Sequence, residues 1–233
     1  MPSEKEAKRK HEKEKTREVE RMIYIILCGG QYDKWPKPKQ LTEICGEPIV
    51  ARTIRLLREN GVEDIAISTN QEGFDGLGVP ILHHDNNYKL GLYHDYGNWL
   101  DAFYPSNKPV CYIFGDVVFS PEAIRTIVNT QTDSIEFFAS AEPLPSFYPK
   151  PWAEPFAFKV VDTDLFFESI ERAKRYEKEC LFYRKPVSWE LWQIIKRTPL
   201  NRIDYQNYTA INDYTCDIDS PEDVEKIERY VNG

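Results

Sequence analysis

Three short segments hold the residue types that chemistry on a bound anion requires. The first is Leu27-Cys28-Gly29-Gly30-Gln31-Tyr32-Asp33-Lys34-Trp35-Pro36-Lys37-Pro38-Lys39-Gln40-Leu41. Its adjacent glycines let backbone N–H groups approach an anionic or planar ligand closely. Lys34, Lys37 and Lys39 add positive charge to the same loop. The second segment is Gly115-Asp116, and the third is Cys216-Asp217-Ile218-Asp219-Ser220-Pro221-Glu222-Asp223. Asp217 and Asp219 are two residues apart, so a strand would aim both at one face. Lysines, backbone donors and carboxylates able to hold a divalent cation are what a polyphosphate site needs. Taken singly the segments are ambiguous. The glycine loop fits a dinucleotide site, a phosphate loop or a tight turn, although G-x-x-x-x-G-K-[ST] and G-x-G-x-x-G are both absent. Either aspartate alone fits an ordinary loop or cap residue.

The elements that must position these segments follow a strand–helix alternation. Met22–Leu27 is a continuous apolar run, as expected of a strand buried on both faces of a parallel sheet. Pro48 opens a helix whose Val50, Ile54 and Leu57 form one stripe, closed by Asn60-Gly61, and Val62–Ser68 is the next strand. This is the order of a right-handed βαβ crossover. Val110–Phe114 and Tyr214–Ile218 read as strands, each followed by Ser-Pro-Glu (Ser120-Pro121-Glu122 and Ser220-Pro221-Glu222) starting a helix. In both, an aspartate stands near the C-terminal end of a strand, where open α/β sheets bind ligands. Ser134–Ala141 and Phe156–Val161 read as strands, Asp164–Lys178 and Ser188–Lys196 as helices. Five prolines make Glu142–Pro155 an irregular loop, long enough to cover an acceptor site.

The bulk properties bound the function. At 233 residues, 41% hydrophobic and 29% charged, the chain reads as one soluble α/β domain over residues 22–233. Residues 1–21 are a charged extension, helix or tail, with eight Lys/Arg and six Asp/Glu. The net charge of −8 therefore leaves −10 on the remainder, which argues against a nucleic-acid surface. No apolar run is long enough for a membrane span and no secretory signal is legible, so a cytoplasmic location is expected. The five cysteines lack C-x-x-C spacing and read as reduced, apolar side chains, with a structural zinc site the minor alternative.

Together, the segments resemble the nucleotidyltransferase superfamily with a GT-A-like Rossmann fold, which includes sugar-phosphate nucleotidyltransferases and cytidylyltransferases. Its pattern L-A-A-G-x-G-x-R, a spacer, P-K-x-L and G-x-P-[IL] is matched by Leu27-Cys28-Gly29-Gly30, Pro38-Lys39-Gln40-Leu41 and Gly46-Glu47-Pro48-Ile49. The second glycine and the arginine are missing and the loop is about two residues short, so Lys34 or Lys37 would replace the arginine. Gly115-Asp116 resembles the family's metal-binding G-D. The Cys216–Asp223 segment resembles the closing E-I-D-[ST]-x-x-D of cytidylyltransferases, in which Asp219 would be the second metal ligand. The resemblance implies a three-layer sandwich around a mostly parallel sheet. It further implies Mg²⁺ held by Asp116, Asp217 and Asp219, and transfer of NMP, most plausibly CMP from CTP, to a phosphorylated small molecule. Catalytic roles fall to Lys39, Asp116 and Asp219. Nucleotide contacts fall to Leu27, Cys28, Gly29, Gly30, Gln31, Lys34, Lys39, Thr69, Asn70, Asn87, Gly91 and Gly115.

Other candidates are weaker. His83-His84-Asp85 invites a metal reading, but adjacent histidines in a strand point opposite ways. An apparent helix near Asn98–Phe103 follows the stretch where the family reads the base. Trp152, Phe156, Trp189 and Trp192 suit a core better than a ligand platform, and Glu154-Pro155-Phe156 lies where the acceptor half begins. Two alternatives stay open: a GT-A glycosyltransferase using Asp217 and Asp219 with a nucleotide sugar, and a catalytically inactive nucleotide-binding domain.

Overall fold

The computed structural model describes residues 21–30, 35–84, 99–141, 152–182 and 186–231. The charged extension, Arg21 apart, lies outside them, as does most of the proline-rich loop. The described strands are β1 (Ile23–Leu27), β2 (Glu43–Ile44), β3 (Glu47–Pro48), β4 (Ile65–Thr69), β5 (Ile81–His83) and β6 (Val110–Phe114), then β7 (Val117–Val118), β8 (Ile135–Ser140), β9 (Pro155–Val160), β10 (Thr209–Ile211) and β11 (Cys216–Asp217). The helices are α1 (Ile49–Glu59), α2 (Pro121–Asn129), α3 (Thr163–Lys178), α4 (Ser188–Lys196) and α5 (Pro221–Val231).

Seven strands form the central sheet in the order β10-β8-β9-β6-β1-β4-β5. Only β9 runs antiparallel to its neighbours, so the sheet is mostly parallel as expected. Both faces are covered, and the pairing of β6 with β9 shows how. Tyr112 lies opposite Phe158, and Cys111 opposite Lys159. Tyr112 stacks on Phe166 of α3 at 5.6 Å, and Phe158 meets Trp192 of α4 at 6.4 Å. On the other face, Lys159 Nζ reaches the last carbonyls of α2. A helix–sheet–helix sandwich results. One helical layer is bound by aromatic packing, in which each ring pair contributes about 0.5–1.5 kcal/mol beyond its buried area. Phe156, Trp189 and Trp192 are core residues, as expected. Among the described residues no helix is long and apolar enough to cross a membrane.

Several expectations need correction. The strand read over Tyr214–Ile218 is only Cys216–Asp217, and it pairs antiparallel with β7 outside the central sheet. Thr209–Ile211, not anticipated, takes the sheet edge beside β8. The apparent helix near Asn98–Phe103 is a 3₁₀ turn, Trp99–Ala102. Pro48 precedes the helix instead of opening it, because it pairs with Glu43 in the β2–β3 hairpin. Elements of two or three residues hold too few side chains to display a period.

Candidate active site

The C-terminal ends of β1, β4 and β6 meet around the glycine loop. Gly115 N donates to Leu27 O at 3.0 Å. A Cβ at Gly115 would stand 2.6 Å from that same oxygen and 2.7 Å from Cys28 Sγ, so only glycine allows β6 to close so tightly on β1. Gly30 has φ of +91°, the second position where the loop needs glycine. Its N–H donates to Asn70 Oδ1 at 3.3 Å, and its carbonyl accepts from Gln71 Nε2. Thr69 is fully buried, and its hydroxyl donates to Cys28 O at 2.9 Å while accepting from Gln71 N. Thr69, Asn70 and Gln71 thus brace the loop from the end of β4. Burial, aided by the facing Asp116, pushes the Cys28 thiol well above its ordinary range, which leaves it a packed apolar group.

Lys39 enters from a 3₁₀ turn, Lys39–Leu41, that Pro38 leads in. Its side chain is only 2% exposed, and Nζ lies 2.9 Å from Asp116 Oδ2 and 3.6 Å from Asp219 Oδ1. Burial alone would lower this ammonium, but Asp116, Asp217 and Asp219 together outweigh it, and the net shift is upward. Lys39 is a firmly held cation among carboxylates.

Two strands and a cap bring those carboxylates together. Asp116 sits in the turn between β6 and β7. The β7–β11 pairing sets Asp217 opposite Val117, and Ile218 N donates to Asp116 O at 3.2 Å. Asp219 is held by the start of α5. Asp223 Oδ2 accepts from Asp219 N at 3.1 Å, Ser220 N at 2.9 Å and Ser220 Oγ at 3.1 Å. The Asp223 carboxylate thus reaches back to the backbone N–H groups ahead of the helix, as the acidic half of a capping box does, and its bond to Asp219 N fixes the backbone there. A buried lysine gripping aspartates from two strand ends, beside a glycine loop, is an arrangement for polyphosphate chemistry.

Comparison with known proteins agrees. Residues 24–177 match the family model described as the MobA-like NTP transferase domain. The chain belongs to this family. It is 41% identical over 63 residues to the molybdenum cofactor guanylyltransferase of Rhodobacter capsulatus, a match spanning 27% of this chain and about a third (32%) of that relative. Among solved structures, the fold is similar to 2-C-methyl-D-erythritol 4-phosphate cytidylyltransferase from Thermus thermophilus, with TM-score 0.57 and 14% identity over 91% of this chain and 99% of that one. It is also similar to 4-diphosphocytidyl-2C-methyl-D-erythritol synthase from Anaerococcus prevotii, with TM-score 0.53 and 14% identity over 91% and 99% of the two chains.

In this NTP transferase domain, the expected catalytic residues Lys39, Asp116 and Asp219 come together. The expected metal trio of Asp116, Asp217 and Asp219 stands around Lys39, with a further carboxylate, Glu154, beside Asp217 and Asp219. Among the described residues, the carboxylates that approach within 4.8 Å of one another are those of Glu154, Asp217 and Asp219, while Lys39 lies between Asp116 and Asp219. Glu154 enters because β9 runs antiparallel, which returns its start to this end of the sheet. Leu27 and Cys28 are buried at the end of β1 and support the loop from within. Lys37 is exposed. Gln31, Lys34, Asn87 and Gly91, expected to bind nucleotide, lie outside the described residues, as does Asp85 of the His83-His84-Asp85 run. Asp223 was legible as part of the closing motif, yet its positioning role was not. Arg52 carried no sequence signal: buried in α1, it donates to Phe119 O at 3.3 Å and Tyr214 Oη at 3.2 Å, tying α1 to the residue that follows β7 and to the segment that leads into β11.

Proposed function

We propose that this protein transfers an NMP group from an NTP to a phosphorylated small molecule, releasing pyrophosphate, with Mg²⁺ as cofactor. The observation that carries the reading is the contact of buried Lys39 with Asp116 and Asp219, next to the Gly29-Gly30 loop. An oxygen of the acceptor phosphate attacks the α-phosphorus. The new P–O bond forms as the bond from the α-phosphorus to the bridging oxygen breaks, and pyrophosphate departs with that electron pair. The nucleophile is already anionic, so no general base is needed. The difficulty is charge: two anions must meet while more charge develops on the leaving group.

The chain's own residues answer that difficulty. The Gly29-Gly30 turn, without side chains, lets phosphate oxygens approach the backbone closely, and Lys39 supplies a desolvated cation at the transfer centre, where its field is stronger than in water. Asp116 and Asp219 are hard oxygen donors, in the small number that Mg²⁺ prefers, and Glu154 and Asp217 adjoin Asp219. When bound there, Mg²⁺ would neutralise phosphate charge and align the attacking and leaving oxygens. Asp223 keeps Asp219 in place for it.

For the nucleotide, the Asp217-Ile218-Asp219-Ser220 ending supports CTP. The 41% identity to a guanylyltransferase supports GTP as the second reading. Pyrophosphate release is the test, with each of the four NTPs, Mg²⁺ and a panel of phosphorylated sugars and alcohols. Turnover restricted to CTP sustains the first reading, and turnover restricted to GTP replaces it with the second. Hydrolysis of nucleotide sugars with no triphosphate turnover would instead indicate a glycosyltransferase. Nucleotide binding without any turnover would indicate an inactive domain.

A further inference from the structure

Three carboxylates of the site stand on segments that the central sheet does not hold. Asp116 leads into β7 and Asp217 ends β11, and these strands pair only with each other, Val118 opposite Cys216 and Val117 opposite Asp217. So short a ladder specifies its register weakly, and a slip of one residue turns every side chain of a strand to the opposite face. Such a slip would aim Asp217 away from Lys39. The packing beneath, where Val118, Cys216 and Ile218 cluster with Ile44, Ile49 and Ile227, is apolar and non-directional, so it cannot prevent one.

Past the Val118–Cys216 end of the ladder, buried side chains take over from backbone. Ser120 N donates to Thr215 Oγ1 at 3.0 Å, and Thr215 N donates to Asp213 Oδ1 at 2.7 Å. Ser120 Oγ donates to Asp213 Oδ2, which closes a ring between the two segments. Arg52 bridges the same segments through Phe119 O and Tyr214 Oη. Ser120 and Thr215 are 3% and 4% exposed, so in any other register their polar groups would be buried without these partners. Capping of α2 needs only that Ser120 Oγ accept from Ala123 N. It explains neither Thr215 nor the bond to Asp213.

We propose that Ser120, Asp213 and Thr215, bridged by Arg52, form a register lock for the β7–β11 pair. They are thereby positioning residues for the divalent cation that the NMP-transfer reading, on which this rests, assigns to Asp116, Asp217 and Asp219. The lock acts through the ladder to its other end, where Ile218 N donates to Asp116 O at 3.2 Å.

The test is Mn²⁺ binding to the full chain, read by electron paramagnetic resonance per folded molecule, with and without a non-hydrolysable NTP analogue. Thr215→Val keeps the shape but leaves Ser120 N without its acceptor, whereas Thr215→Ser keeps the hydroxyl. Thr215→Val should weaken Mn²⁺ about 10–100-fold, the usual cost of removing a group that orients metal ligands, and Thr215→Ser should hold wild-type affinity. Hydrogen exchange at Ile218 N–H should quicken in Thr215→Val while Ile113 N–H in β6 keeps its protection. In an Asp116→Asn background Thr215→Val should weaken Mn²⁺ far less, because the lock serves that carboxylate's placement. A merely structural ring would lower the melting temperature and leave Mn²⁺ affinity per folded molecule unchanged, and that result overturns the inference. Full additivity with Asp116→Asn overturns it too, as does an equal loss in Thr215→Ser. Tyr214→Phe removes only one arm of the Arg52 bridge and should weaken Mn²⁺ in the same direction. It decides the matter where Thr215→Val does not fold, wild-type affinity then sinking the lock. Pyrophosphate release separates this from the parent reading. Mn²⁺ binding independent of Thr215 sinks the lock alone, Thr215-dependent binding with no NTP turnover sinks the transfer reading alone, and a wild-type chain that binds no Mn²⁺ sinks both.

Discussion

Two lysines are buried among the described residues, and their surroundings could hardly differ more. Lys39 lies at the ends of the central strands with its ammonium against Asp116 and Asp219. Lys159 points from near the end of β9 toward α2, where Nζ donates to the carbonyls of Ile127, Val128 and Thr130 at 2.8, 2.8 and 2.7 Å. Those oxygens end α2, whose last carbonyls have no helical partner, and a cation there also opposes the negative end of the helix dipole. Lys159 is satisfied by fixed backbone and closes off one helix. Lys39 is satisfied by carboxylates that, under the proposed function, would exchange it for a metal and free it to meet a phosphate. Burial of a charge therefore does not separate function from structure. The exchangeability of its partners does.

Substitution at each lysine should break the comparison in opposite ways. Lys39→Met is expected to lower kcat/KM for pyrophosphate release by about 10²–10³-fold, the scale of losing one preorganised electrostatic contact, while thermal stability changes little. A melting temperature that falls steeply with activity per folded molecule intact would reverse the assignment. Lys159→Met should do the converse, costing about 2–3 kcal/mol because buried helix carbonyls lose a charged donor. Denaturant titration reads that loss, and steady-state kinetics on the folded fraction should match wild type.

A smaller effect tests how Asp219 is held. Asp223→Ala removes the acceptor for three donors around Asp219 and Ser220, and should cost about 1 kcal/mol as a lost helix cap. It should also raise the Mg²⁺ concentration for half-maximal activity, with Asp223→Asn restoring most of both. An unchanged Mg²⁺ dependence would show that Asp219 needs no such support.

The smallest effect is electrostatic and differs in sign between the two lysines. The Lys39 ammonium is raised from its ordinary 10.5, so its contribution is complete below that pH and is lost as pH climbs through the higher folded value. Burial lowers Lys159 from the same 10.5, so the folded state sheds that proton first, and stability gains as pH approaches 10.5 from below. Stability profiles from pH 8 to 11, taken as wild type minus each methionine variant, should slope in opposite directions. Parallel slopes would mean that the two environments do not differ in the way described.

Much of this site was legible in the chain because its parts are local. Gly30 must adopt a positive φ, Gly115 must let β6 close on β1, and Ser-Pro-Glu starts a helix wherever it occurs. These demands act over a few residues, so the loop, Asp116 and Asp219 could be read without the fold, as could the long strands and helices that display a period. Tertiary structure alone decided the rest. The β7–β11 pairing, two residues on each side, zips Asp217 to the Asp116 turn, and no two-residue strand announces itself. The antiparallel course of β9 returns Glu154 to the transfer centre, and Trp152 emerges from the core beside it. Arg52 and Lys159 read as ordinary surface charges until their carbonyl partners, 67 and about 30 residues away, are in place. Local chemistry is written in neighbouring residues. Which carboxylate meets which cation depends on strand order and direction, set by packing the whole sheet at once.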